Sequence, residues 1–234
     1  MNTNSNIYTF IYASVMVVLV AAALAFTNGL LKDKQAKNVE VDKMQQILRA
    51  LKMETAYDLT AKLYQETVQS TYLINSKGEK IDSNAVNAFN TDISKEVVKP
   101  VNSRNLPIYE AVVKGEKKYV IPVYGAGLWG PIWGYVALNS DRNTIFAASF
   151  SHQGETPGLG AEISTKPFQH QFEGKKLFNQ SGFVSVAVVK SGKIVENMDQ
   201  VDGISGGTIT SQGVHNMLFN SLSAYETFLK AASL

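Results

Sequence analysis

The chain has 234 residues, of which 45% are hydrophobic, and a formal net charge of +2 at pH 7. This length suffices for one domain with a real core and a membrane segment, and no basic run alternates with aromatic residues to suggest a nucleic-acid partner. The sequence has no cysteine, which excludes disulfides, iron–sulfur ligation and thioether attachment of a cofactor. Its three histidines, His152, His170 and His215, lack metal-ligand spacing, so we expect no protein-held metal.

The first element in chain order is an uncharged apolar run over residues 7–26, IYTFIYASVMVVLVAAALAF. About 20 such residues in a helix cross a bilayer core of about 30 Å, and Tyr8 and Tyr12 suit an interfacial aromatic belt. A cleaved signal peptide is the alternative, because Ala23-Leu24-Ala25 resembles a cleavage site. However, no Lys or Arg precedes the run, and the run is long for a signal peptide. We predict a retained, single-pass transmembrane anchor over residues 1–31.

The charges beside this span bear on its orientation. Lys32, Lys34 and Lys37 follow it, whereas residues 2–6 carry no basic side chain. The positive-inside rule therefore places the following domain in the cytoplasm, although Asp33 and the N-terminal amine weaken the asymmetry.

A helical pattern of apolar residues follows and predicts a helical connector over residues 32–69. Short β-type runs begin at residue 70; they are 71–74, 108–113, 119–124, 132–138, 145–150 and 183–189. The turn sequence Lys114-Gly115-Glu116-Lys117 predicts a hairpin, and residues 82–104 predict a loop with one short helix. An amphipathic helix from Val214 to Ala232 closes the chain. Residues 70–234 therefore form one predicted α+β domain, with an antiparallel or mixed sheet flanked by helices.

Two loops in this domain contain unusual combinations of glycine and functional side chains. Residues 124–134, YGAGLWGPIWG, hold two tryptophans. We expect Trp133 to face the core, whereas Trp129 lies between glycines and could stack on a planar ligand. Residues 152–160, HQGETPGLG, follow a predicted strand and cannot continue it, because Pro157 lacks an N–H and the glycines form a turn. We interpret His152 as an ordinary loop histidine.

A third loop, Asp202 to Ser211, reads DGISGGTITS. Two glycines remove side chains that would block a large partner, and the helix expected from residue 213 would direct N–H groups and a partial positive charge at the loop. A phosphate could bind there, with the Thr208 hydroxyl accessible. We expect Thr210 to cap the helix and Ser205 to hydrogen-bond within the loop.

Together the three loops resemble the FMN-binding domain family, from Tyr124 to the C-terminus. The flavinylation motif of that family reads Asp-x-x-(Ser/Thr)-Gly-Ala-(Thr/Ser), and it corresponds here to Asp202, Ser205, Gly206, Gly207 and Thr208. Glycine at 207 departs from the usual alanine. The resemblance implies one FMN per chain, joined to Thr208 through a phosphoester bond that a dedicated flavin transferase forms.

The other two loops also match the family, through a Tyr-Gly-x-Gly-(Leu/Met)-Trp-Gly run and a Glu-Thr-Pro-Gly-Leu-Gly loop that lies against the flavin ring. The resemblance implies flavin contacts from Glu155, Thr156, Leu159 and Gly160, with Trp129 beside them. Lys190, at the end of a predicted strand, is a further expected neighbour of the phosphate or the flavin.

Two respiratory complexes contain a subunit of this family: the sodium-translocating NADH:quinone oxidoreductase and the Rnf ferredoxin:NAD complex. Residues 171–176, QFEGKK, and 213–216, GVHN, resemble the member from the sodium pump more closely. The resemblance implies an electron-carrying subunit of a translocase, not catalytic alone, that assembles with the other membrane and redox subunits of its complex. It also implies a bacterial inner-membrane protein with a periplasmic flavin domain, contrary to the lysine pattern.

Two other classes of function remain as alternatives. One is a membrane-anchored extracytoplasmic sensor that binds a small ligand non-covalently and would release it on denaturation. The other is a serine hydrolase that uses Ser205 or Ser211 with His215 as base, although the sequence has no Gly-x-Ser-x-Gly elbow to hold the nucleophile.

Overall fold

A computed structural model describes residues 5–231 of the chain. Its contacts divide the chain into two compact units, Met1–Lys43 and Met44–Leu234. The predicted boundaries at residues 31/32 and 69/70 stay predictions.

The first unit consists, in the part that the structure describes, of a helix with an apolar segment. This helix, α1, extends over Asn6–Ala50 and so continues past the end of the unit. An 18-residue window within it has a mean hydropathy of 2.4 and buries no residue. By length and composition α1 can therefore cross a membrane, and this apolar helix ahead of a sheet-and-helix domain agrees with the predicted fold class.

The second unit is built on a six-stranded antiparallel sheet with the strand order β2-β1-β3-β4-β5-β6. Its strands are β1 (Val68–Ile74), β2 (Lys80–Asp82), β3 (Leu106–Val113), β4 (Glu116–Ala126), β5 (Pro131–Leu138) and β6 (Ile145–His152). Two small sheets accompany it: an antiparallel pair, β7 (Phe178–Asn179) and β8 (Gly182–Phe183), and a parallel pair, β9 (Ala187–Val189) and β10 (Gln200–Asp202).

Both faces of the large sheet are apolar and covered, because successive apolar side chains along its strands point alternately to one face and to the other. In β4, Tyr119 and Ile121 join one core cluster, whereas Val120 joins the other. The helices of this unit are the end of α1, α2 (Tyr57–Thr67), α3 (Ala85–Asn90), α4 (Ile93–Glu96), α5 (Lys166–His170), α6 (Thr208–Leu222) and α7 (Glu226–Lys230). Buried apolar residues of α5, α6 and α7 belong to the first cluster, whereas Ile47, Leu48 and Ala50 at the end of α1 and Tyr64 of α2 belong to the second. The sheet is thus the middle of three layers.

Three of the sequence-predicted elements differ in the structure, and β2, β7, β10 and α5 had not been predicted. The segment 82–104 contains two short helices and one 3-10 turn instead of one helix, because Asn84 and Asp92 each cap a separate helix through the side-chain oxygen. The strand predicted over 183–189 is divided, since Ser185 has a positive φ of 63°. The last helix begins at Thr208, not near residue 213, and a 3-10 turn interrupts it after Leu222; its predicted end at Ala232 lies outside the described residues.

Candidate functional site

Three loops converge at one end of the sheet around a cavity of about 230 Å³. They are the β4–β5 turn, the segment after β6 and the start of α6. The residues that line the cavity are Leu128, Trp129, Glu155, Thr156, Leu159, Gly160, Gly206, Gly207, Thr208, Ile209 and Thr210. The cavity is therefore lined by residues from all three glycine-rich loops of the sequence, at 124–134, 152–160 and 202–211.

The first turn of α6 forms one wall of the cavity. Gly206 has a φ of 76°, which favours glycine, and Gly207 is the N-cap residue without a side-chain cap. Two hydrogen bonds of Ser211 close this turn. The Ser211 N–H donates to the Gly207 carbonyl at 2.9 Å, and the Ser211 Oγ accepts from the Ile204 N–H at 2.8 Å. The helix N-terminus, with its partial positive charge, is thereby formed directly at Thr208.

The two threonines of this turn have opposite environments. Thr208 is exposed at the first position of α6. Thr210 is only 1% exposed, and its hydroxyl donates to Glu155 Oε2 at 2.6 Å. The prediction that Thr210 caps the helix is therefore wrong, because Gly207 occupies the cap position and Thr210 lies inside the first turn.

Glu155 joins the three loops from beneath the cavity. It is 5% exposed, and its Oε1 accepts from the Trp129 backbone N–H at 2.8 Å while its Oε2 accepts from Thr210. Its own N–H donates to His152 Nδ1 at 3.2 Å. Gly127 and Gly160 enclose the carboxylate so closely that a Cβ at either position would collide with a carboxylate oxygen. Both carboxylate oxygens therefore bind groups of the protein.

An apolar rim surrounds the mouth of the cavity. In the β4–β5 turn the Gly127 N–H donates to the Gly130 carbonyl at 2.8 Å, which directs Leu128 and Trp129 outward. Trp129 is 66% exposed, and Leu159 and Ile209 are exposed beside the cavity as well. These side chains can cover a planar apolar group. Trp133, by contrast, is half-buried and donates from Nε1 to Gln46 Oε1 at 2.9 Å.

Three of the predicted site residues do not line the cavity. Asp202 is exposed at the end of β10, and the Gln171 side chain binds its backbone N–H and carbonyl at 2.9 and 3.4 Å. Ser205 is exposed before the glycines. Lys190 is exposed in the turn after β9. The pairing of Val189 with Asp202 places that turn beside Asp202, and Lys190 is not among the residues that line the cavity.

Sequence reasoning missed several residues that the structure places at the site. Leu128 and Ile209 line the cavity, and Gln171 holds the backbone at Asp202. Leu128, Ile209 and Gln171 each lie in or beside one of the motifs described above, so proximity to a motif was the only sequence signal for them. No sequence pattern indicates the hydrogen bond between Thr210 and Glu155, because the two residues are 55 positions apart.

The residues of the hydrolase alternative make other contacts. Ser211 Oγ accepts from the Ile204 N–H, and His215 Nδ1 accepts from the Val188 N–H at 3.3 Å. Ser205 precedes the helix and is exposed. The nucleophile–base pair that such an enzyme needs is not formed by these residues within the described part of the chain.

The glycine-framed N-terminus of α6 can bind a phosphate, and the apolar rim beside it can cover a planar ring. The site therefore fits the class of proteins that bind a phosphorylated aromatic cofactor. The family model of the FMN-binding domain matches residues 127–223, which include every residue that lines the cavity.

The similar proteins give a narrower assignment. A crystal structure of NqrC, a subunit of the Na(+)-translocating NADH-quinone reductase, from Parabacteroides distasonis is 50% identical, with a TM-score of 0.79 over 85% of this chain and 96% of that one. The crystal structure of Shewanella oneidensis NqrC is 25% identical, with a TM-score of 0.69 over 84% of this chain and 99% of that one. The corresponding protein from Vibrio vulnificus (strain YJ016) is 29% identical over 231 residues, covering 92% of this chain and 91% of its own length.

The chain belongs to the NqrC family of the Na(+)-translocating NADH-quinone reductase. The resemblance to the sodium-pump member of the FMN-binding domain family is thereby confirmed, as is the α+β fold behind one long apolar helix. Its relatives are named as a subunit of an oxidoreductase complex.

Proposed function

We propose that this chain is a membrane-anchored flavoprotein subunit that carries electrons through one FMN, joined covalently to Thr208, within a sodium-pumping NADH:quinone oxidoreductase. The observation that carries the proposal is the exposed Thr208 at the first position of α6, beside the cavity. The names of the relatives supply the complex.

The residues at the cavity fit an FMN phosphoester. The N-terminus of α6 favours a negatively charged phosphodiester by about 0.3–1 kcal/mol. Gly207 contributes no side-chain cap, so the amides at the start of the helix are not covered by the N-cap residue. A side chain at Gly206 would meet Leu159 Cδ2 at 2.7 Å, so glycine there preserves both the turn and the space beside Thr208.

Attachment to Thr208 is a phosphoryl-group transfer without oxidation or reduction. Thr208 Oγ1 forms a bond to the phosphorus of the flavin nucleotide, and the hydroxyl proton passes to a base of the transferase. Because ester formation needs an activated donor, the bond that breaks is the phosphoanhydride of a flavin dinucleotide, and a nucleoside monophosphate leaves. The exposed Asp202 and Ser205 are available for recognition by the transferase.

The remaining site residues have proposed roles in holding the cofactor. When bound, FMN supplies the electron-transfer chemistry. Trp129 and Leu159 exclude water from one side of the cavity, and Thr156 offers a hydroxyl. The absence of a side chain at Gly160 allows the backbone to approach the cofactor closely. Lys190 lies in a turn beside Asp202, and its ammonium group is proposed to point from there toward the negatively charged phosphate of the cofactor. A direct contact between Glu155 and the flavin stays a prediction. It would be made in addition to the hydrogen bonds that both carboxylate oxygens already accept within the protein.

The same proposal places the anchor at residues 1–31, the connector at 32–69 and the flavin domain at 70–234. It places the domain in the periplasm, on the inner membrane, against the bias of Lys32, Lys34 and Lys37. A C-terminal fusion should therefore be active with a periplasmic reporter and inactive with a cytoplasmic one. The reverse pattern would contradict the orientation and leave the flavin assignment untouched.

The attachment is tested by coexpression of the full chain with a flavin transferase. The parent should show a mass increase of one FMN and a band that fluoresces on a denaturing gel, whereas Thr208→Ala should give a dark band. Ser205→Ala is the matched control, because it removes an exposed hydroxyl from the same loop, and it should fluoresce. A fluorescent Thr208→Ala band would refute the site, and loss of flavin from the denatured parent would favour a non-covalent binding protein.

A further inference from the structure

The loop from Asp202 to Ser211 contains two threonines, Thr208 and Thr210, whose hydroxyl groups lie in different environments. Thr210 is buried, and its hydroxyl donates to Glu155 Oε2 at 2.6 Å. Thr208 is exposed and lines the cavity. Both threonines follow the glycine pair closely along the chain, so their order alone offers a transferase no physical reason to prefer one.

We propose that Glu155 is a positioning residue that selects Thr208 as the flavin acceptor, an inference that rests on the proposed phosphoester at that residue. By binding the Thr210 hydroxyl, Glu155 fixes the rotation of the first turn of α6 about the helix axis. Residues two positions apart on a helix lie about 200° apart around the axis. Holding Thr210 inward therefore turns Thr208 outward.

The buried carboxylate is well suited to this role, because it has little freedom to move. Its second oxygen accepts from the Trp129 N–H, and glycines 127 and 160 enclose it closely. A buried carboxylate that loses a hydrogen-bond donor carries a large desolvation penalty. The fold therefore strongly favours the arrangement in which Thr210 stays bound, and the rim residue Trp129 is held by the same group.

The role of Glu155 is tested by removing the Thr210 hydroxyl without changing the shape of the side chain. In the full-length apoprotein in detergent, Thr210→Val should speed hydrogen exchange of the amides at 211–213 by about tenfold or more, as expected for loss of a hydrogen bond to a charged group. With limiting transferase, it should also slow flavin attachment at Thr208 by about tenfold. Thr210→Ser keeps the hydroxyl and should restore both values to those of the parent.

Two further variants separate positioning from general destabilisation. Glu155→Gln keeps the shape but removes the charge and one acceptor, so exchange and attachment should change in the same directions by a smaller factor. Thr67→Val removes a buried hydroxyl far along the chain, one that contacts Met53 Sδ at 3.6 Å, and should leave the attachment rate at the parent value. Peptide mass mapping should find the flavin on Thr208 in every variant that is labelled.

Several outcomes would overturn the inference. Attachment rates for Thr210→Val and Glu155→Gln equal to the parent rate would remove the positioning role, as would a failure of Thr210→Ser to restore the rate. Labelling of Thr210 in Thr208→Ala protein that retains Glu155 would show that the bound hydroxyl is available after all. If the parent itself carries no flavin on Thr208, the proposed function fails, and that result is distinct from the others.

Discussion

An alanine at position 160 would place a methyl group against the buried hydrogen bond between Glu155 and Thr210. Its Cβ would collide with Glu155 Oε2 and stand 2.5 Å from Thr210 Oγ1. Neither neighbour can withdraw easily, because Glu155 is also bound to the Trp129 N–H and Thr210 is buried within α6. The methyl group must therefore break a hydrogen bond or displace the loop after β6.

The size of the effect follows from these two routes. Breaking a hydrogen bond to a charged group costs about 1.5–3 kcal/mol, and overpacking a filled site costs about 1–3 kcal/mol. We expect Gly160→Ala to lower the free energy of unfolding by about 2–3 kcal/mol, whichever route the protein takes. For a domain of this size, that corresponds to a fall in Tm of roughly 4–12 °C.

The assay is thermal unfolding of the full-length protein in detergent, followed by tryptophan emission, since both tryptophans of the chain lie in the β4–β5 region. Gly154→Ala is the matched control. It lies in the same loop, but its added Cβ would have the Trp129 carbonyl oxygen as its nearest neighbour, at an ordinary 3.7 Å, so its Tm should stay close to that of the parent. Equal Tm values for the two variants would refute the account of a closely enclosed carboxylate.

Three further predictions concern other parts of the domain. Gly206→Ala should cost about 1–2 kcal/mol of unfolding free energy because of the positive φ, and an unchanged urea midpoint would contradict this. Trp133→Phe should cost about 1 kcal/mol through loss of the bond to Gln46, measured by circular dichroism in urea; no change would mean that the bond is replaced by water. Burial raises the pKa of Tyr64 to about 12, so the folded state keeps a proton that the unfolded chain loses near pH 10. Stability should then fall by about 2–3 kcal/mol between pH 10 and 12, and Tyr64→Phe should flatten that part of the pH profile; parallel profiles would refute the assignment.

Five of the six strands of the large sheet could be predicted from the sequence because they contain short apolar runs; β2 (Lys80–Asp82) has no such run and was not predicted. In β4 and β5, successive side chains point to two separate apolar layers, so the sequence shows a short apolar run that is visible without knowledge of the partners. The divided strand at 183–189 could not be predicted, since the positive φ of Ser185 depends on the bonds that two consecutive N–H groups, those of Val184 and Ser185, donate to the Leu177 carbonyl.

The start of α6 was missed for a related reason. Thr208, Ile209 and Thr210 are β-branched, so their intrinsic preference disfavours a helix. The helix nevertheless begins there because Thr210 binds Glu155 and Ser211 Oγ accepts from the Ile204 N–H. The tertiary bond to Glu155 comes from a residue 55 positions away and overrides local propensity. Helix propensity alone therefore placed the boundary about five residues late.

The glycines of the site serve three distinct physical needs, and this explains why the loop composition is restricted. Gly206 provides a positive φ at the turn into α6. Gly160 provides space for the buried carboxylate of Glu155. Gly207 has an ordinary negative φ of −106°, yet an added Cβ would stand 3.1 Å from Ile204 Cβ and 3.3 Å from the Gly160 N atom. The methyl group of the alanine that the family motif carries at this position would thus require Ile204 or the Gly160 backbone to move by a few tenths of an ångström. Because Gly160 packs directly against Glu155, such a shift would act on the same carboxylate that holds Thr210, and glycine at 207 avoids that strain in this chain.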